Sequence, residues 1–77
     1  MIREHERVIL THDLPAEELQ AGDVGTVVHV HRGGEAFEVE FLTLQGATAA
    51  VATLPATHIR PVTQRDMTHA RLIKQPA

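Results

Sequence analysis

Cysteine is missing from this chain, which excludes both disulfides and thiolate zinc sites and fits a reducing compartment. Serine is missing as well, so a hydroxyl nucleophile would have to be a threonine. An activated threonine ordinarily needs a special N-terminal position, which this sequence does not provide. His12 with Asp13, and His58, therefore have no defensible nucleophile to serve, and the chain is expected not to be an enzyme. Tryptophan and tyrosine are absent and phenylalanine occurs only twice, which removes the stacking platform of a single-strand binder and the aromatic groove used for proline-rich ligands. No run approaches the roughly 20 apolar residues that span a bilayer. The start, "MIREHERVIL", has no apolar stretch of the kind a secretory leader carries. A cytoplasmic protein without a membrane partner is expected. Basic excess is lacking too: ten acids face seven bases, for a formal charge of −3, which disfavours a general nucleic-acid binder.

What is present is a strand pattern. Its 77 residues make one small domain, of a size that buries only about 60% of its unfolded surface. "RVILT" is a β-branched and apolar run, hence a first strand, after a charged start at residues 1–6 that is expected to fray. A long connection follows at residues 12–23, in which "PAEEL" can form one helical turn and Gly22-Asp23 signals a bend. Residues 24–32 and 35–43 alternate apolar and polar side chains on either side of Gly33-Gly34, the signature of a hairpin with a two-residue primed turn. That turn pairs His31 with Ala36, Val30 with Phe37, His29 with Glu38, Val28 with Val39, Val27 with Glu40 and Thr26 with Phe41. Val28, Val30, Phe37, Val39 and Phe41 then share the inner face, and charged and imidazole groups the outer one.

A second turn at Gln45-Gly46 sets Phe41 opposite Ala50, Val39 opposite Ala52 and Phe37 opposite Leu54, with Val51 outward. Residues 55–59 read as a tight helical turn before a short strand, "IRPV", which Pro61 confines to a sheet edge. The sum is an all-β fold: a small five-stranded SH3-like barrel over residues 1–62, with a one-turn helix before the last strand and a C-terminal tail at residues 63–77.

Most of this pattern resembles a small bacterial family of SH3-like proteins known as a domain of unknown function. "VILTHDLP", "AGDVGTVVHV", "GEAFEVEF", "VATL" and "IRPV" occur in the family's order. "AGDVGTVV" is also similar to the KOW-type turn of ribosomal and elongation proteins. The resemblance implies an association with toxin-like or nuclease-like genes, hence an antitoxin or immunity role, and no catalytic residue or cofactor.

Three site readings follow. The first is a protein-interaction surface that meets a basic partner, such as a toxin or nuclease-like protein, or a second copy. It uses Leu14, Glu17 and Glu18 of the long loop, Glu38 and Glu40 of the hairpin, and Met67, Arg71 and Leu72 of the tail. Leu19 is expected to pack inward, while Leu14 and Leu44 could add a small apolar centre. The second is a KOW-like nucleic-acid surface at Arg60, Arg65, Arg71 and Lys74. The third and weakest is a metal site at His29 and His31, which alternate on one strand face across from Glu38; a solvated cross-strand pair explains them more simply.

Overall fold

The computed structural model describes residues 1–74. Five strands form one antiparallel sheet: β1 (Arg7–Leu10), β2 (Val24–His31), β3 (Ala36–Leu42), β4 (Thr48–Pro55) and β5 (Ile59–Pro61), in the spatial order β4-β3-β2-β1-β5. Single 3-10 turns stand at Pro15–Glu17 and Ala56–His58. The all-β, five-stranded reading holds, including the short turn before the last strand. The sheet is not a closed barrel: β4 and β5 are its two edges and do not pair.

The central hairpin begins as the sequence predicts, with His31 opposite Ala36, Val30 opposite Phe37 and His29 opposite Glu38. A β-bulge at Val28 then advances β2 by one residue, so that Val27 faces Val39, Thr26 faces Glu40 and Gly25 faces Phe41. This corrects the expected facing of two residues. Val27 is fully buried, whereas Val28 points out and is 41% exposed. The physical reason lies at Gly25, where an added Cβ would come within 2.5 Å of Val39 Cγ1 and 3.0 Å of Phe41 Cδ1. Phe41 needs a partner without a side chain, and the bulge supplies it. The bend is also longer than a two-residue turn. Arg32 joins Gly33 and Gly34 at positive φ, and the amides of Gly34 and Glu35 both donate to the His31 carbonyl.

β4 takes the expected register, with Phe37, Val39 and Phe41 opposite Leu54, Ala52 and Ala50. Small alanines thus meet the bulky inner residues of β3. These side chains pack with Val8, Leu10, Leu19, Val27 and Ile59 into one core. β5 pairs only with β1, and Pro61 stands in it at the sheet edge, where a missing amide costs no ladder bond. The start of the chain is fixed rather than frayed. The His5 amide donates to the Val27 carbonyl, the Val27 amide to the Glu6 carbonyl, and Ile2 packs against the core. Among the described residues no helix is long and apolar enough to cross a membrane.

The bulge makes adjacent valines unequal. Val27→Thr, which buries an unpaired hydroxyl, is expected to cost about 1–3 kcal/mol in denaturant unfolding, whereas Val28→Thr should stay within about 0.5 kcal/mol of the parent. Equal effects would contradict the bulge. Gly25→Ala should lose about 1–3 kcal/mol through crowding against Val39 and Phe41.

Candidate interaction surface

The long loop is ordered by its own polar groups. A bridge joins Leu14 to Leu19, with the amide of each donating to the carbonyl of the other. Glu18 closes the 3-10 turn in the left-handed region, at φ 58°. Asp13, for which the sequence offers no catalytic role, accepts the Ala21 amide at 2.8 Å. The Asp23 carboxylate accepts the Gln20 amide at 2.8 Å. Leu19 is buried under the loop, as expected of it, while Leu14 is half-buried and Leu44 is exposed. Glu17 and Glu18 project from this frame, and no ion pair engages either among the described residues.

The tail reaches the same loop. Residues 62–74 form no helix or strand. Arg71 donates from Nε to Asp23 Oδ1 at 2.8 Å and from Nη2 to Asp23 Oδ2 at 2.5 Å, and Nη2 also donates to the Glu18 carbonyl at 3.2 Å. Burial by itself would raise the Asp23 pKa. The hydrogen bonds from Arg71 and the Gln20 amide, with the Arg71 charge, outweigh it and hold the carboxyl below its ordinary value. Two parallel bonds to a carboxylate are the geometry for which a guanidinium is best suited. Residues 75–77, the end of the expected tail, lie outside the described residues.

The turn Pro15–Glu17 is a ridge between two shallow grooves. One is bounded by Glu18 and Gln20 on the loop and by Arg71, Leu72 and Ile73 on the tail. The other runs between Leu14–Glu17 and the β4 residues Val51–Leu54. Structure thus brings Leu14, Glu17 and Glu18 together with Arg71 and Leu72. It leaves Met67 exposed elsewhere on the tail, 89% open to solvent. Glu38 and Glu40 lie on the outer face of β3, tied to their neighbours: Thr53 Oγ1 donates to Glu38 and Thr48 Oγ1 to Glu40.

Two of the four basic candidates are engaged by carboxylates. Arg71 is engaged as described. Arg60 makes a two-pronged pair with Asp66, at 3.1 and 2.7 Å. Those bonds, with the Thr63 amide, hold Asp66 far below the usual carboxylate range. Arg65 and Lys74 make no ion pair among the described residues.

His29 and His31 lie on the outer face with their ring centroids 4.5 Å apart, edge to face. Each turns to a separate carboxylate: His31 Nε2 is 3.2 Å from Glu38 and His29 Nδ1 is 3.6 Å from Glu4. The contact to Glu38 comes from the diagonal neighbour His31, not from His29 directly opposite. No group of three or more His, Asp or Glu is placed to hold a metal ion among the described residues. A second imidazole pair, which the sequence did not suggest, stacks His12 on His58 with centroids 4.2 Å apart. It joins the long loop to the turn before β5. Thr11 and Thr57 each share a hydrogen bond with the histidine that follows.

A family model described as a domain of unknown function (DUF4926) matches residues 4–61. The chain belongs to this family. The match covers all five strands and stops before the tail, so the DUF4926 span contains Asp23 but not its partner Arg71. No curated protein and no solved structure matches the chain.

Arg71→Ala is expected to lower stability by about 1 kcal/mol or less at neutral pH, because an ion pair with substantial solvent contact contributes little. Amide exchange in residues 18–23 should quicken. Asp23 titrates lower folded than unfolded, so its stabilisation is complete above the unfolded value of about 4 and is lost as pH falls through the folded value. Asp23→Asn should abolish that part of the acid dependence; an unchanged acid limb would show that the pair does not stabilise the fold.

Proposed function

We propose that the chain is a non-enzymatic protein-interaction module that binds a basic partner protein through the acidic ridge of its long loop. The observation that carries this reading is the uneven use of charge. Two arginines, Arg60 and Arg71, are committed to Asp66 and Asp23, whereas Glu17 and Glu18 stand exposed and free of ion pairs among the described residues. Local hydrogen bonds and the Arg71 clamp already fix the main chain beneath them, so little ordering entropy is left for binding to cost. Carboxylates presented in this way speed encounter with a basic surface and select against acidic ones. Leu14 and Leu72 add apolar area beside them.

A nuclease-like toxin has the required surface, which makes an antitoxin or immunity-like role in the cytoplasm the most economical biological setting. The open five-stranded sheet, with a long first connection and a 3-10 turn before the last strand, is compatible with an SH3-like architecture. A KOW-like nucleic-acid role has less support, because Arg60 and Arg71 would have to leave their carboxylates to meet phosphate.

Co-purification from the native cell, with the parent and a Glu17→Lys/Glu18→Lys variant compared, tests the proposal. The parent is expected to retain a basic protein, and the doubly reversed variant to lose it by at least about tenfold in affinity. Retention undiminished by charge reversal would sink the ridge as the contact. Tight RNA or DNA binding that weakens steeply with salt would favour the nucleic-acid reading instead.

A further inference from the structure

The two edges of the sheet are built differently. β5 is three residues long and contains Pro61. β4 is eight residues long, "TAAVATLP", with no charge, no glycine and no proline before its last position. Long uncharged edges are what proteins usually avoid, because unpaired main-chain groups there accept a further strand.

The register tells which groups are unpaired. The Ala56 amide donates to the Glu35 carbonyl, which makes 35 and 56 a hydrogen-bonded pair. Pairing alternates along an antiparallel ladder. Phe37–Leu54, Val39–Ala52 and Phe41–Ala50 are therefore bonded, and the N–H and C=O of Val51 and Thr53 point away from β3. No turn or loop bond uses those four groups among the described residues. They open onto the groove whose far wall is Leu14, Pro15, Ala16 and Glu17.

We infer that this groove takes an extended segment of a basic partner as an added strand beside β4, with Lys or Arg alternating with apolar residues. The alternation follows from the two faces. Side chains of the added strand that lie beside Val51 and Thr53 share the outer face with Glu38 and Glu40, which stand opposite Thr53 and Val51 on β3. Two strand spacings, about 10 Å, separate the added strand from β3. A lysine or arginine spans that gap by lying along Val51 and meeting a carboxylate. The intervening side chains fall on the other face, toward Leu14, Ala52 and Leu54, which are apolar. Glu17 adds negative charge at the rim. The inference rests on the reading of the chain as an interaction module; it shares Glu17 with the ridge, but its hydrogen-bonding wall is β4.

The probe is an end-capped eight-residue peptide of alternating lysine and valine, with an alternating glutamate and valine peptide as its counterpart. Binding of the basic peptide should slow exchange at the Val51 and Thr53 amides. Thr53→Pro removes an outward amide without touching a main-chain bond to β3, and the exposed Thr53 Oγ1 contact to Glu38 that it also removes is long, at 3.4 Å, so melting should change little while affinity falls by about tenfold or more; Thr53→Val, which removes that contact and keeps the amide, should bind like the parent. N-methylation of alternate peptide amides, which leaves the protein unaltered, should cause the same loss even if the proline variant folds poorly. Equal affinity for parent and Thr53→Pro, or equal binding of the acidic peptide, would overturn addition of a basic strand, and a dimer of the chain that Thr53→Pro dissociates would replace the basic partner with a second copy as the occupant and so overturn the inference. The first of these alongside a charge-sensitive Glu17–Glu18 contact would leave the ridge standing and remove only the β4 site.

Discussion

The close approach of Phe41 to Gly25 governs the rest of the molecule. Phe41 is almost fully buried opposite Gly25, where a side chain would run into Val39 Cγ1 first and then into Phe41 Cδ1 and the Glu40 carbonyl. The bulge at Val28 sets this pairing by inserting one residue between His29 and Val27. Beyond the bulge, β2 runs in the opposite phase, and that phase pairs Val24, Gly25 and Thr26 with β1. Val27 enters the core, Val8 and Leu10 of β1 follow it, and Ile59 of β5 is carried in with β1. Before the bulge, the turn and the imidazole face keep the phase that the hairpin bend sets. A single inserted residue thus sets which side chains join the aliphatic and phenyl core and which join an outer face of histidines, glutamates and threonines, with Val28 and Val51 among them.

Electrostatics acts on this frame without creating it. Among the described residues the core removes eleven apolar side chains from water, the ten larger than alanine each contributing on the order of 1–3 kcal/mol before entropy is counted. A partly exposed ion pair contributes at most about 1 kcal/mol. The Asp23–Arg71 pair therefore contributes little to stability and much to shape. It holds the tail against the long loop, fixes the Glu18 carbonyl, and forms one wall of a groove. The family match ends before Arg71, so this clamp joins a residue within the matched span to one outside it.

Local rules made part of this legible. The hairpin next to Gly33-Gly34, the facing of β4, the edge position of Pro61 and the inward Leu19 could all be read from alternation and turn chemistry. The phase change at Val28 could not be read from alternation, because the doublet Val27-Val28 offers an aliphatic side chain in either phase. The doublet itself, lying two residues from Gly25, was the available signal that the strand shifts. The clamp joins residues 48 positions apart, and the His12–His58 stack joins two loops; neither has any periodic trace in sequence. Arg71 looked equally suited to a partner and to phosphate until its own carboxylate was seen. The grooves beside the Pro15–Glu17 ridge depend on such contacts and were hidden for the same reason.

Closure of the barrel would require β4 and β5 to pair, and the sequence opposes it at both strands. Pro61 cannot donate from β5, Pro55 cannot donate at the end of β4, and β5 has only three residues to offer. An eight-residue edge with no charged gatekeeper is thus left beside a gap. The loop that could shield it arrives with Leu14, Pro15 and Ala16 toward the gap, yet forms no main-chain bond to β4. A shielding loop would be expected to satisfy the edge or to cover it with charge. One that faces the edge with apolar side chains and stops short of bonding leaves a slot bounded by hydrogen-bonding groups on one wall and hydrocarbon on the other. Those are the two surfaces that a β-strand itself presents.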